Sequence, residues 1–318
     1  MFLTFLHNAI RFSATFLFGS TGETITERSG HLNLGIPGIM CMGAVGACVG
    51  ESIYLKGLNN VADINGFGAV MIGIIFAMMF AGIGGLIYAF LTVTLRSNQN
   101  VSGLAMTTFG VGLTNFIIPQ VDTTGFNYIS KCFINFAPGA DKAGWFSDLF
   151  LTYGCLVYVA IALAVVVSLV IKRSRTGLNL RAVGENPGAA DAAGINVIRY
   201  KYVACVLGSA IAGLGGLFFI FDYLGGNWEY TIDSMGWLAV ALVIFSVWRP
   251  NIGIAGSILF GALYILPHTV HVAFRYNELI KMIPYLVTII VLVITSMINK
   301  RETQPPASLG IPYFREER

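Results

Sequence analysis

The chain has 318 residues and a net charge of +3; 56% of its residues are hydrophobic and only 11% are charged. Soluble domains carry about 25% charged residues, so this composition excludes a soluble enzyme, and its hydrophobicity excludes a disordered chain. The small net charge gives no reason to expect a nucleic-acid partner. We therefore expect a membrane protein, and the 37 glycines are typical of helices that pack closely within a bilayer.

Apolar segments predict an all-α polytopic membrane domain over residues 1–298, followed by a flexible tail over residues 299–318. A transmembrane helix needs about 20 mainly apolar residues. About nine segments (8–10) meet or approach this length, at residues 5–26, 34–55, 67–95, 101–120, 149–171, 202–221, 235–247, 252–267 and 279–298. Pro250 between the seventh and eighth segments predicts a tight helical hairpin.

The distribution of basic residues predicts the orientation. Placing the loop 172–201 in the cytoplasm puts most of the 19 lysines and arginines on that side, as the positive-inside rule requires. Nine spans then leave the C-terminus cytoplasmic and the N-terminus outside.

The first informative segment is the polar stretch 19–38 between the first two spans. Glu23 and Glu27 are spaced to share one helix face, and the glycines and proline at 35–38 predict an interrupted helix start. Irregular polar backbone at membrane depth is tolerated where it is buried in protein or lines a wet cavity. One interpretation is a wall or inner gate of a translocation pathway that includes Glu23 and Asn33; the other is a capped cytoplasmic turn.

The second segment is the fourth predicted span, which carries uncharged hydrogen-bonding groups within apolar sequence. Such groups can line a path for a neutral polar solute, or they can hold neighbouring helices together. The candidate pathway residues of this span are Ser102, Thr107, Thr108 and Asn115.

The third segment is the cytoplasmic loop 172–201. Asn186 can cap a helix, Pro187 suits its first turn, and Gly194 suits the left-handed position after its end. A helix this short is marginal in isolation, so we expect it to pack against either a partner or its own membrane domain. The candidate coupling residues are Arg181, Glu185, Asn186, Pro187, Ala190, Asp191 and Gly194.

No catalytic chemistry is evident in the sequence. It contains no nucleophile–base arrangement, no metal-ligand cluster and no phosphate-binding loop of the Gly-x-x-x-x-Gly-Lys-Ser/Thr type. We expect no enzyme activity, metal or cofactor on this chain, and if ATP drives it, another subunit binds the ATP.

Three motifs resemble those of ABC-transporter permeases of the simple-sugar and nucleoside type, which are related to the branched-chain amino-acid permeases. The motifs are Glu-Arg-Ser-Gly-His-Leu-Asn-Leu-Gly at 27–35, Asn-Gln-Asn-Val-Ser-Gly-Leu-Ala at 98–105, and Leu-Arg-Ala-Val-Gly-Glu-Asn-Pro at 180–187 with its continuation to residue 196. The likeness extends over about residues 16–298. Many members have Gly-x-Glu-Gly where this chain has Gly-Ile-Pro-Gly at 35–38, so the role of that carboxylate is absent here.

The resemblance implies the fold of a type II ABC importer in the bacterial inner membrane. It implies a second permease subunit, an ATP-binding subunit docked on the loop 172–201 as the coupling element, and an extracytoplasmic solute-binding lipoprotein. The expected solutes are nucleosides or related sugar-containing compounds, with flavin-like compounds also open. The alternative is an ion-coupled secondary transporter of a small polar solute, which would need ionisable groups at the membrane midplane.

Overall fold

The computed structural model describes residues 2–58, 60, 63–134, 144, 149–269, 279–280, 282–298 and 304–314, and these residues form helices without any strand. The helices up to the middle of the chain are α1 (Phe2–Arg28), α2 (Ile36–Lys56), α3 (Gly66–Ala89), α4 (Gln99–Ile117), α5 (Phe126–Ile134) and α6 (Cys155–Arg173). Those that follow are α7 (Arg175–Glu185), α8 (Pro187–Ala192), α9 (Val197–Leu217), α10 (Ile232–Phe245), α11 (Pro250–Thr269) and α12 (Ile283–Ile298). Short π-helical turns extend α3 and α9, at Phe90–Thr94 and Phe218–Tyr223.

Each of the nine apolar segments contains a helix, and this confirms the all-helical prediction. Among the described residues, five helices are long and apolar enough to cross a membrane, namely α2, α3, α4, α6 and α9 with their helical extensions. The polar second half of α1 lowers its hydropathy, and α10 and α12 have only 14 and 16 residues. The span number of nine therefore stays a prediction.

The centre of the bundle consists of α1, α2 and α9, and α3 packs against α2 and α9. Close approach of α2 and α9 explains part of the glycine content. A Cβ atom added at Gly43 would collide with the backbone of Gly213, so only glycine allows the two helices to meet here. The other helices surround this centre, with α4 on α2, and α6 and α11 on α1.

The predicted helix ends around α8 and the hairpin are confirmed. The Asn186 side chain accepts a hydrogen bond from the Ala189 amide, Pro187 occupies the first turn, and Gly194 has φ +82°. The chain turns between Phe245 and Pro250, as the proline predicted.

One end of the bundle gathers three polar segments: the α1–α2 connection, the loop 174–196 and the tail. The Ser308 amide donates to the Gly184 carbonyl at 3.0 Å, and the Gly310 amide donates to the Gly30 carbonyl at 3.3 Å. Residues 304–314 thus lie against the loop and are held there, whereas the sequence predicted a flexible tail. Its remaining residues, 299–303 and 315–318, lie outside the described part of the chain.

Candidate translocation and coupling site

The α1–α2 connection is tied to α1 through Glu23. The Asn33 amide donates to Glu23 Oε1 at 3.0 Å, and Asn33 Oδ1 accepts from the Gly35 amide at 2.9 Å. Both side chains are fully buried. The two candidate residues Glu23 and Asn33 therefore meet, and Asn33 sets the turn that begins α2.

Residues of α3 and α4 hold the same connection from the other side. The Thr107 hydroxyl donates to the Leu34 carbonyl at 2.7 Å, and the Tyr88 hydroxyl donates to the Leu32 carbonyl at 2.7 Å. The buried Ser102 hydroxyl lies 2.7 Å from that of Ser97. Thr107 therefore joins neighbouring elements, and Ser102 makes a local contact.

Glu27 connects α1 to the hairpin between α10 and α11. The indole N–H of Trp248 donates to Glu27 Oε2, while the Arg28 guanidinium donates to the Trp248 carbonyl from both Nε and Nη2, at 3.2 and 3.0 Å. Trp248 is only 7% exposed. Its side chain therefore turns inward to a buried carboxylate.

Four acidic side chains lie near helix ends but are completely enclosed by protein: Glu23, Glu27, Glu51 and Asp222. Asp222 pairs with Arg11, whose Nε lies 3.0 Å from Asp222 Oδ1. Glu23 Oε2, Glu27 Oε1 and both oxygens of Glu51 have no hydrogen-bond partner among the described residues. Burying a polar group without a hydrogen-bond partner costs free energy. The fold therefore retains these carboxyl groups in its interior at a cost in stability.

The remaining pathway candidates, Thr108 and Asn115, lie apart from this buried group. Both are exposed on the face of α4 that points away from α2, and the exposed side chains of Leu104, Phe109 and Phe116 surround them. Among the described residues, the hydroxyl of Thr108 bonds within its own helix, to the Leu104 carbonyl at 3.2 Å. The six pathway candidates thus divide into three buried residues (Glu23, Asn33 and Ser102), the half-buried Thr107, and an exposed polar pair on an otherwise apolar face.

The coupling candidates around α8 also divide by exposure. Ala190 is 3% exposed and packs with Val183 and Val197, so it faces its own chain. The exposed alanine is Ala189, one residue earlier, and a coupling role for Ala190 stays a prediction. Within residues 185–195, around α8, the exposed residues are Glu185, Asn186, Ala189, Ala192, Ala193 and Gly194.

A cavity of about 710 Å³ lies between α6, α7 and the hairpin. Arg181 and Glu185 line it together with Arg28, Lys172 and Arg249. The Nε atom of Arg181 is buried without a hydrogen-bond partner among the described residues. This side of the coupling loop is therefore strongly basic.

Asp191 binds the tail, because the Tyr313 hydroxyl donates to Asp191 Oδ2 at 3.1 Å. Sequence reasoning missed Tyr313, Ser308 and Trp248 as partners of the candidate residues. An aromatic or hydroxyl group in a tail gives no local signal of a contact with a residue more than 100 positions away.

Comparison with known proteins agrees with this architecture. Residues 5–292 match the family model described as the permease component of branched-chain amino-acid transport systems. The chain belongs to this permease family. No group of three or more metal-ligand side chains occurs within the described residues, and the family is one of transport permeases rather than enzymes.

Several permeases of ABC transporters are similar in sequence. The putative glucose ABC transporter permease TsgC13 of Haloferax volcanii is 34% identical over 81% of this chain and 75% of its own. The nucleoside permease NupC of Lactococcus lactis is 30% identical, over 90% of each chain. The guanosine permease NupQ of Bacillus subtilis is 27% identical over 96% of this chain and 95% of its own.

A solved structure shares the fold. It is an inward-facing putative metal-chelate type ABC transporter, with a TM-score of 0.50 over 91% of this chain and 84% of that one, at 10% identity. At this identity the likeness shows a shared fold.

Proposed function

We propose that this permease forms the translocation pathway of an ABC importer for nucleosides or related sugar-containing solutes. The observation that carries the proposal is the near full-length similarity to the guanosine and nucleoside permeases, together with the similarity to a putative glucose permease. Nucleosides and sugars share a neutral, hydroxyl-rich sugar ring, and this is the chemistry that uncharged hydrogen-bonding groups recognise.

The exposed polar pair on α4 supports a pathway at this face. Thr108 and Asn115 are exposed and uncharged, and they suit a path that neutral polar solutes follow past a second permease subunit, whether a copy of this chain or a related one. Glu23, Asn33, Ser102 and Thr107 would then support this wall from within rather than contact the solute.

The loop 172–201 is the proposed docking site of the ATP-binding subunit. Its exposed small residues allow a partner surface to approach, and the basic cavity beside it can meet acidic side chains of that partner. ATP would be bound and hydrolysed by that subunit, and this chain would carry no cofactor.

We place the permease in the bacterial inner membrane, with its C-terminus in the cytoplasm and its N-terminus outside. The contacts between the tail and the loop 174–196 support a common side for these two segments. A solute-binding lipoprotein would deliver the solute at the opposite side.

Reconstitution tests the proposal directly. The permease is purified with its ATP-binding subunit and partner permease, placed in liposomes, and supplied with the binding protein and radiolabelled guanosine or glucose. We expect uptake that requires ATP and the binding protein, and that falls in Asn115→Leu while assembly of the complex is unchanged. Unchanged uptake in both Asn115→Leu and Thr108→Val would remove these groups from the pathway.

The same liposomes separate this proposal from an ion-coupled secondary transporter. The buried carboxyl groups Glu23, Glu27 and Glu51 are the feature that such a mechanism would use. Uptake that persists without ATP and collapses when an ionophore dissipates the ion gradient would favour the secondary transporter and contradict the importer.

A further inference from the structure

A second cavity, of about 330 Å³, lies at the end of the bundle where the tail meets the start of α9. Its lining comes from the end of α3, the α8–α9 connection and the tail, and it includes His31, Arg96, Asp191, Lys201 and Tyr313. It is distinct from the basic cavity beside Arg181, and none of the pathway candidates lines it.

The residues that line the cavity include two cations, Lys201 and Arg96, and one acidic residue, Asp191. Lys201 is only 2% exposed, and its described contact is with an aromatic ring, since its Nζ lies 5.8 Å from the centre of the Tyr313 ring. The guanidinium of Arg96 lies 4.9 Å from the centre of the Phe314 ring. Within the described residues, neither cation forms an ion pair. For the buried Lys201, a ring face offsets less of the cost of burying a charge than an anion does.

A buried imidazole faces the same space. His31 is 1% exposed, and neither ring nitrogen has a hydrogen-bond partner among the described residues. Burial lowers the pKa of His31 well below its ordinary value, and the positive charge of Lys201 lowers it further. The ring is therefore neutral and offers one N–H donor.

Backbone donors complete the lining. The Asn196 side chain caps α9 through the Arg199 amide. The first two amides of the helix, those of Val197 and Ile198, have no acceptor within the helix, and both residues line the cavity. Amides at a helix start favour anions, and oxyanions accept hydrogen bonds from several donors at once. The acidic residue of the lining, Asp191, already accepts a hydrogen bond from the Tyr313 hydroxyl.

We propose that this cavity binds a phosphate group, held by Lys201, Arg96, His31 and the first amides of α9. The phosphate could belong to a free phosphate compound or to the headgroup of a membrane lipid, because the cavity lies at the end of the spanning helices α3 and α9. Either source would connect the tail to the loop 174–196, and would make the position of that loop depend on the anion.

The test uses the full-length chain, purified with its accompanying subunits in dodecyl maltoside, which contains no phosphate. Inorganic phosphate is titrated calorimetrically into the wild type, Lys201→Gln and Arg96→Gln. Arg173→Gln is the matched control, since Arg173 is an exposed cation of the loop 172–201 and lines neither cavity. In a second arm, native mass spectrometry measures how much added phosphatidylglycerol each variant retains.

We expect the two cavity variants to lose affinity by at least roughly ten-fold, as for loss of a charge-assisted contact, while Arg173→Gln binds as the wild type does. Saturable binding of inorganic phosphate would identify the ligand as a free phosphate compound. If the wild type retains lipid but does not bind inorganic phosphate, and the cavity variants do not retain the lipid, the ligand is a lipid headgroup. Absence of both in the wild type, or equal binding by all four proteins, overturns the proposal. Arg96 is exposed, so Arg96→Gln keeps the test valid if Lys201→Gln fails to fold.

Discussion

Thr107 and Thr108 are neighbours in α4 with opposite environments. Thr107 donates to the Leu34 carbonyl of the α1–α2 connection, whereas Thr108 bonds to its own helix and is exposed. Substitutions at the two positions therefore distinguish a role in supporting the fold from the proposed contact with a solute.

Thr107→Val should lower the free energy of unfolding by about 1 kcal/mol, because the Leu34 carbonyl loses its donor. Thr108→Val should change it by less than about 0.5 kcal/mol, but should reduce nucleoside uptake. Thermal unfolding in detergent and uptake into liposomes measure the two effects. Equal stability of the two variants would contradict the division of roles.

Trp248 supplies the donor to the buried Glu27 carboxylate, and its replacement should be costly. Trp248→Phe leaves that oxygen unpaired, and we expect a loss of about 1–3 kcal/mol in unfolding free energy. Trp237→Phe is the control, since Trp237 is half-buried. In a Glu27→Met background the loss should shrink, because methionine needs no donor; an undiminished loss would assign the effect to packing alone.

Sequence alone placed Glu23 and Asn33 in one polar segment, because both lie within a short stretch whose residue types do not suit lipid. It could not show that Thr107 supports the segment while Thr108 does not. Adjacent positions of a helix differ by about 100° in direction, and the packing of α4 on α2 decides which threonine contacts the α1–α2 connection.

At the scale of elements, local sequence signals were sufficient to predict the ends of α8 but not the docking of the tail. The ends of α8 depend on Asn186, Pro187 and Gly194 within a few residues of each other. The docking of the tail depends on Gly184 and Gly30, and Ser308 is 124 residues from Gly184. A proline-containing tail has no hydrophobic period that would indicate such a contact.

Removal of residues 304–318 should loosen the loop while the membrane bundle stays intact. The Gly184 carbonyl would lose the Ser308 amide and hydroxyl, at 3.0 and 2.6 Å, and Asp191 would lose the Tyr313 hydroxyl. We expect faster amide hydrogen exchange at residues 184–196 and unchanged exchange in α2. Ser308→Ala should have a smaller effect, because its amide contact remains. Equal exchange in the truncated and full-length chains would show that the tail does not hold the loop.

At the scale of the whole molecule, the common end of the loop and the tail allows a direct test of orientation. Ala307 is exposed in the tail, whereas Ser308 is buried and hydrogen-bonded. In a cysteine-free background, Ala307→Cys should resist a membrane-impermeant thiol reagent in intact cells and react after the cells are opened. Labelling in intact cells would place this end of the bundle outside.

The proposed docking of an ATP-binding subunit would use the free face of α8, and substitutions at two adjacent alanines distinguish docking from folding. Ala189 is exposed, whereas Ala190 packs with Val183 and Val197 inside the chain. An arginine at position 189 would enter the proposed interface, while an arginine at position 190 would overpack a small core and bury a charge.

Ala189→Arg should therefore weaken co-purification of the ATP-binding subunit by about ten-fold, equivalent to about 1.4 kcal/mol, while the permease keeps the unfolding temperature of the wild type. Ala190→Arg should lower the unfolding temperature of the permease by itself, in the absence of any partner. Measurements of the permease alone and of the assembled complex separate these effects, because only the second contains the docking interface. If Ala189→Arg retains the ATP-binding subunit and its stimulated hydrolysis in full, the partner docks elsewhere on this end of the bundle.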